Sequence, residues 1–385
     1  MTTIVLAGAL AQRPRNGGHA WVFLNWLLGL RSLGFDVLFL DRLEPGMLDR
    51  PGDPVDRSPQ WLWLVEVMGA AGFDGQFALL FDSNRQALGM ERSEILERCR
   101  RATVLFNVMG YLDDDELLDA VAMRVFVDLD PGFPQMWHDL GLADCLAGHE
   151  AFVTVGLAVG AGSSTVPTCG RVWRATLPPV HLAAWPAAKV RHGGRTRMTT
   201  VATWRGPFAS IQYESKTYGL RAHEHRAYWD LPTMVPEVDC EIALDIDAAD
   251  GADSALLIAG GWHLAVPARV ADTTQKYQQY LSMSDAELAI AKEIYVRTRG
   301  GWFSDRSACY LASARPVIAQ DTGFSDYLPC GEGLFAFTSP DEAASCAIEV
   351  AGDLGRHSRA ARAIAHDYLD AKIVLRSVLS GVGAV

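Results

Sequence analysis

Two short stretches hold the side chains best suited to chemistry. One runs Gly300-Gly301-Trp302-Phe303-Ser304-Asp305-Arg306 and leads through an apolar segment to Pro316-Val317-Ile318-Ala319-Gln320-Asp321. It reads as a glycine-terminated strand, a polar helix start, an apolar helix, a short buried strand and a polar loop. Glycine lets a ligand approach the backbone closely, and a helix N-terminus presents free N–H groups to an anion. Arg306 is placed to add a cation to the same oxygens. Asp305, in the first turn, could reach ribose hydroxyls or simply serve the helix dipole. Gln320 and Asp321 open beside the same spot and could touch whatever the anion carries. A phosphate on one side and polar fingers on the other describe a site for a sugar nucleotide.

The other stretch is Arg13-Pro14-Arg15-Asn16-Gly17-Gly18-His19. It puts an imidazole just after a first strand, at the start of a helix. An imidazole titrates near neutrality and so suits a general base that takes a proton from an acceptor hydroxyl. An acid to orient it could come from Asp113, Asp114 or Asp115, or from Asp128; alternatively the three consecutive aspartates form a solvated helix start. Gly17, Gly18 and Asp130 are expected to contact the acceptor, and His19, Asp113 and Asp128 form the expected catalytic set. Asp128 and Asp130 share one strand face, yet no metal site is expected. The loop lacks the Gly-x-Gly-x-x-Gly spacing of a dinucleotide site, so the acid Asp41 alone does not argue for a nicotinamide or flavin. No cofactor is expected beyond a sugar nucleotide as co-substrate.

These residues must be held by strands and helices in alternation. Apolar runs at residues 4–10, 35–40, 77–81, 104–110, 124–130 and 151–155 read as strands of a parallel sheet covered on both faces. The pattern restarts at 199–204, 240–246, 255–259, 294–297, 316–319 and 334–337. A Pro- and Gly-rich stretch at 178–195 reads as a linker. The expected fold is therefore α/β, with two Rossmann-like domains facing across a cleft: residues 1–185 for the acceptor, 195–365 for the donor, and a tail at 366–385 crossing back to the first domain. A chain of 385 residues suits two such cores. The net charge of −12 argues against a nucleic-acid partner. No unbroken apolar run is long enough for a membrane span. Seven cysteines without paired spacing point to a reduced, cytoplasmic setting without structural disulfides. A homodimer is compatible with all of this.

The Gly301-Trp302-Phe303-Ser304 turn resembles the diphosphate-binding turn of inverting glycosyltransferases with the two-domain GT-B architecture. By that resemblance the backbone from Gly301 through Trp302 and Phe303 to Ser304 would hold the donor diphosphate. Gln320-Asp321 is similar to the family's acid–glutamine pair with the order reversed, and Gly18-His19 looks like its Gly-His. Two glutamates of retaining GT-B enzymes fall on Gly301 and Cys309, so that pattern is broken. The wider chain resembles uncharacterised bacterial GT-B proteins found near natural-product pathways, through Val127-Asp128-Leu129-Asp130-Pro131-Gly132, Tyr277-Gln278-Gln279-Tyr280 and Ala291-Lys292-Glu293-Ile294-Tyr295. The family's base-stacking tryptophan lies closer to the phosphate turn than Trp262 does here, which leaves the base open. The resemblance implies a metal-independent, inverting transfer from a nucleoside-diphosphate sugar to a small, natural-product-like acceptor. A nucleotide-sugar 2-epimerase of the same architecture and a non-catalytic GT-B-like partner protein are the alternatives.

Overall fold

The computed structural model describes residues 2–50, 52–190 and 193–384. The first half builds one sheet from β1 (Thr3–Gly8), β2 (Asp36–Leu43), β3 (Phe77–Phe81), β4 (Gln86–Leu88), β5 (Ala102–Val108), β6 (Arg124–Asp128), β7 (Ala151–Thr154) and β8 (Trp173–Ala175). Their order is β4-β3-β2-β1-β5-β6-β7-β8, and every pair is parallel except β3 with β4. All six residues of β1 and all five of β3 are buried. Near-continuous apolar strands of this kind are what a sheet covered on both faces requires.

The second half contributes β9 (Thr196–Thr203), a small hairpin of β10 (Ile211–Tyr213) and β11 (Lys216–Tyr218), then β12 (Val238–Asp245), β13 (His263–Ala265), β14 (Ala286–Ala289), β15 (Val317–Gln320) and β16 (Leu334–Phe337). Its parallel sheet runs β13-β12-β9-β14-β15-β16. Each sheet therefore reverses direction beside its own first strand, between β1 and β5 and between β9 and β14. Ligands of open α/β sheets sit at such switch points, beyond the carboxyl ends of the strands.

Two expected strands of the second sheet are helices instead. Residues 255–259 lie in the helix Gly251–Ala259, which buries Leu257 while Leu256 and Ile258 face outward. Residues 294–297 lie in the helix Glu293–Thr298, whose buried residues Ile294, Tyr295 and Thr298 follow helical spacing. The strand that belongs there is β14, hidden because its centre is the acid Glu287. That carboxylate is fully buried against Arg306, so the segment does not read as apolar.

The halves are tied together at several points. Helix Ala371–Val382 returns to pack on helix Gly17–Ser32, closely enough that a Cβ on Gly29 would lie 2.7 Å from the Ala371 Cβ. Trp21 Nε1 donates to the Thr274 carbonyl at 3.0 Å. Among the described residues no helix is long and apolar enough to cross a membrane.

Candidate active site

The two switch points face one another across a cleft of about 620 Å³. One wall carries the loop after β1 with Arg13, Arg15 and His19, then Tyr111 after β5 and Asp130 after β6. The other carries Thr203, Arg221, Lys292 and the helix start Ser304-Asp305-Arg306.

His19 is set by its helix. The Asn16 side chain caps helix Gly17–Ser32 by accepting from the His19 N–H at 2.9 Å. The ring then lies edge-on to Phe23, 5.2 Å between centroids, with Nε2 2.8 Å from the Ala9 carbonyl. A carbonyl only accepts, so Nε2 carries the proton and Nδ1 keeps its lone pair. Burial lowers the pKa below its ordinary value, outweighing the Ala9 hydrogen bond, so the ring is neutral at neutral pH.

On the facing wall the helix Asp305–Ala312 begins at Ser304, whose hydroxyl accepts from the Arg306 N–H at 3.2 Å. Burial raises the Asp305 carboxyl above its ordinary value. Arg221 starts the helix Arg221–His225 and is 8% exposed. Among the described residues it makes no ion pair, and its buried Nε has no hydrogen-bond partner. Burial, with Arg306 nearby, pushes its pKa down to about 10. A cation so placed is costly without an anion. Lys292 joins it, 2.8 Å from Asp130 across the cleft.

Solved structures share this architecture along the whole chain. Anabaena HepE, solved with UDP and glucose, superposes with a TM-score of 0.60 at 10% identity, covering 100% of both chains. Sucrose-phosphate synthase from Thermosynechococcus elongatus gives 0.58 at 10% identity, again over 100% of both. AviGT4, a glycosyltransferase involved in avilamycin A biosynthesis, gives 0.55 at 12% identity over 100% of this chain and 97% of its own. The chain has the GT-B fold. No protein-family model matches the sequence, and a search of curated proteins finds no match.

Within this GT-B cleft the residues expected from sequence separate into groups. His19, Gly18, Asp130, Trp302, Ser304, Asp305 and Arg306 all line it. The acids expected to orient His19 lie elsewhere. Asp113 is exposed and pairs with Arg42 at 2.8 Å, Asp114 caps the helix Asp115–Ala120 and pairs with Arg92, and Asp115 is exposed. Asp128 is fully buried, accepting from Thr154 Oγ1 and Gln135 Nε2 at 2.7 Å each and from the Asp130 N–H at 2.9 Å. Burial raises its pKa to about 7 despite those donors. Its role in this geometry is to fix the loop that carries Asp130. The ring of His19 is held by a backbone carbonyl instead of an acid.

The glycines also serve the fit between domains. Gly17 donates its N–H to Ala271 at 2.8 Å, and a Cβ there would lie 2.1 Å from the Thr273 carbonyl oxygen. Gly301 has φ +75°, and its Cβ would lie 2.8 Å from the Ala158 nitrogen. The backbone approaching Gly301 is thus that of residues 156–158: the Leu157 and Ala158 N–H groups donate to the Gly301 and Gly300 carbonyls, and Gly156 bridges Trp302. Phe303 is core, packed on Phe324. Arg306 commits Nε to Glu287 and Nη1 to the Val201 carbonyl at 2.9 Å. Gln320 donates to Glu224 at 2.6 Å and accepts from the Ala291 N–H at 3.1 Å, and Asp321 caps Gly323 and sits 3.4 Å from Arg299.

Sequence reasoning missed Arg221, Lys292 and Tyr295. Arg221 precedes His223-Glu224-His225, a run that reads as a solvated face; in the structure His225 is buried edge-on to Trp204. Lys292 stood only within a stretch of family resemblance, and Tyr295 was hidden by the strand reading of 294–297, where the structure has the helix Glu293–Thr298.

Proposed function

We propose that this chain is a glycosyltransferase that moves a hexose from a nucleoside-diphosphate sugar to a hydroxyl of a small, natural-product-like acceptor. The observation that carries the reading is the buried, unpaired Arg221 beside a helix N-terminus, facing a neutral imidazole across one cleft. Solved relatives by fold bind UDP and sugar in their own structures, which is consistent with it.

In this mechanism the donor diphosphate lies against the N-terminus of helix Asp305–Ala312, with Arg221 and Lys292 as its cations and the free edge of Arg306 behind. Asp305, in the cleft lining, is the acid assigned to the ribose or sugar hydroxyls. The acceptor hydroxyl gives its proton to His19 Nδ1 while its oxygen attacks the anomeric carbon and the bond to the diphosphate breaks. Charge leaving with the diphosphate falls on fixed N–H groups and arginine, so the reaction calls for no metal. A base and a leaving group on opposite walls suit an in-line displacement that inverts the anomeric configuration. Calorimetry with UDP, TDP and GDP tests the donor site and names the base. Failure of all three to bind sinks the reading, and a product with retained configuration sinks the role of His19.

A further inference from the structure

Asp130 belongs to the first sheet and Lys292 and Tyr295 to the second, yet their heads meet in one knot. Lys292 Nζ lies 2.8 Å from Asp130 Oδ1 and 3.0 Å from the Tyr295 hydroxyl, and that hydroxyl donates to the same Oδ1. The ammonium sits 5.2, 5.4 and 5.1 Å from the ring centroids of Phe133, Phe208 and Tyr295, an aromatic enclosure that strips water from it. Tyr295 is itself fixed by stacking on Trp302, 4.3 Å between centroids at 24°. The pair is only 12% and 25% exposed, so each charge depends on the other for its partner. Although burial raises the Asp130 pKa, Lys292 and Tyr295 outweigh it and hold the carboxyl below its ordinary value, so the acid is ionised.

The same ammonium lines the cleft with Arg221 and Ser304, and among the described residues Asp130 is the acid it pairs with. A diphosphate arriving there carries more charge than one carboxylate and attracts Lys292 more strongly. We propose that the cross-cleft pair Asp130–Lys292 is an exchangeable lock: donor diphosphate takes over the Lys292 ammonium and frees the Asp130 carboxylate to accept from a second hydroxyl of the acceptor, beside the one that faces His19. Donor binding then precedes acceptor binding, and Tyr295, whose hydroxyl stays on Asp130, is the positioning residue. This rests on the donor reading of the cleft given above.

The test is a double-mutant cycle read by UDP calorimetry, using D130N, K292M and the double variant, each checked for an unchanged melting profile. Exchange predicts that D130N tightens UDP binding about tenfold, the scale of one charge-assisted hydrogen bond in a part-buried site. K292M weakens it, and D130N has no effect in the K292M background. If D130N tightens binding equally in both backgrounds, simple charge repulsion is at work and the lock is refuted. If D130N leaves affinity unchanged or weakens it, the lock is likewise refuted while the donor site stands. Wild-type protein that binds no UDP, TDP or GDP refutes the donor reading itself. A wild-type crystal structure with UDP gives an independent readout, since Lys292 still on Asp130 and away from phosphate overturns the exchange.

Discussion

Replacing Arg221 with methionine should stabilise the free protein and cripple nucleotide binding. The side chain is 8% exposed, its Nε finds no partner, and Arg306 lies near enough to repel it. Its pKa falls to about 10. The gap from its ordinary value, at about 1.4 kcal/mol for each pH unit, corresponds to about 3 kcal/mol of unfavourable surroundings for the charged form. The sign follows from linkage: a base whose folded pKa is depressed is disfavoured as a cation in the native state, so at neutral pH its charge works against folding. Methionine has a similar length and no charge, so part of that cost should return as stability, on the order of 1–3 kcal/mol. The opposite effect is expected on binding. A charge-assisted hydrogen bond to a diphosphate is worth about 1.5–3 kcal/mol, so Kd for UDP should rise roughly 10- to 150-fold. Chemical denaturation without nucleotide and calorimetry with it measure the two effects separately. A variant that is less stable and binds UDP as tightly as wild type would show that Arg221 is structural and holds no phosphate.

His19→Ala should lower turnover by about 10²–10⁴-fold while donor affinity stays within about twofold. Because burial lowers the His19 pKa, the acid limb of the wild-type activity profile should fall below pH 6.5, activity being lost as pH drops through it; a limb above that value contradicts the carbonyl-held ring. Arg306→Ala leaves the fully buried Glu287 without its cation and should cost about 3–5 kcal/mol in denaturant melts; a fully stable variant that merely loses UDP would return Arg306 to a pure ligand role. Gly301→Ala meets both a left-handed φ and the Ala158 nitrogen, and should destabilise the fold by about 1–3 kcal/mol; an unchanged midpoint would mean that residues 156–158 yield freely.

Much of the architecture is legible in the chain because its physics is local. A buried parallel strand must be apolar almost throughout, so β1, β3 and β16 stand out from their own residues, and Asn16 before Gly17 marks a helix start by the oxygen it offers. The glycine-led turn and the imidazole of His19 could likewise be recognised as chemistry by type and spacing alone. β14 could not, because an acid at its centre is tolerable only when Arg306, nineteen residues later, folds back onto it. Which acid faces His19 was equally out of reach. Four aspartates were available in sequence, and only packing shows Asp113 bound to Arg42, Asp128 spent on Thr154 and Gln135, and a carbonyl in the place expected for an acid. Arg221 looks like any helical arginine until burial strips it of partners. The sequence by itself determined two α/β sheets and the chemical types at their strand ends. The tertiary structure alone decided which charges are paired and which are left facing the cleft, because pairing and desolvation depend on distances between residues far apart in the chain.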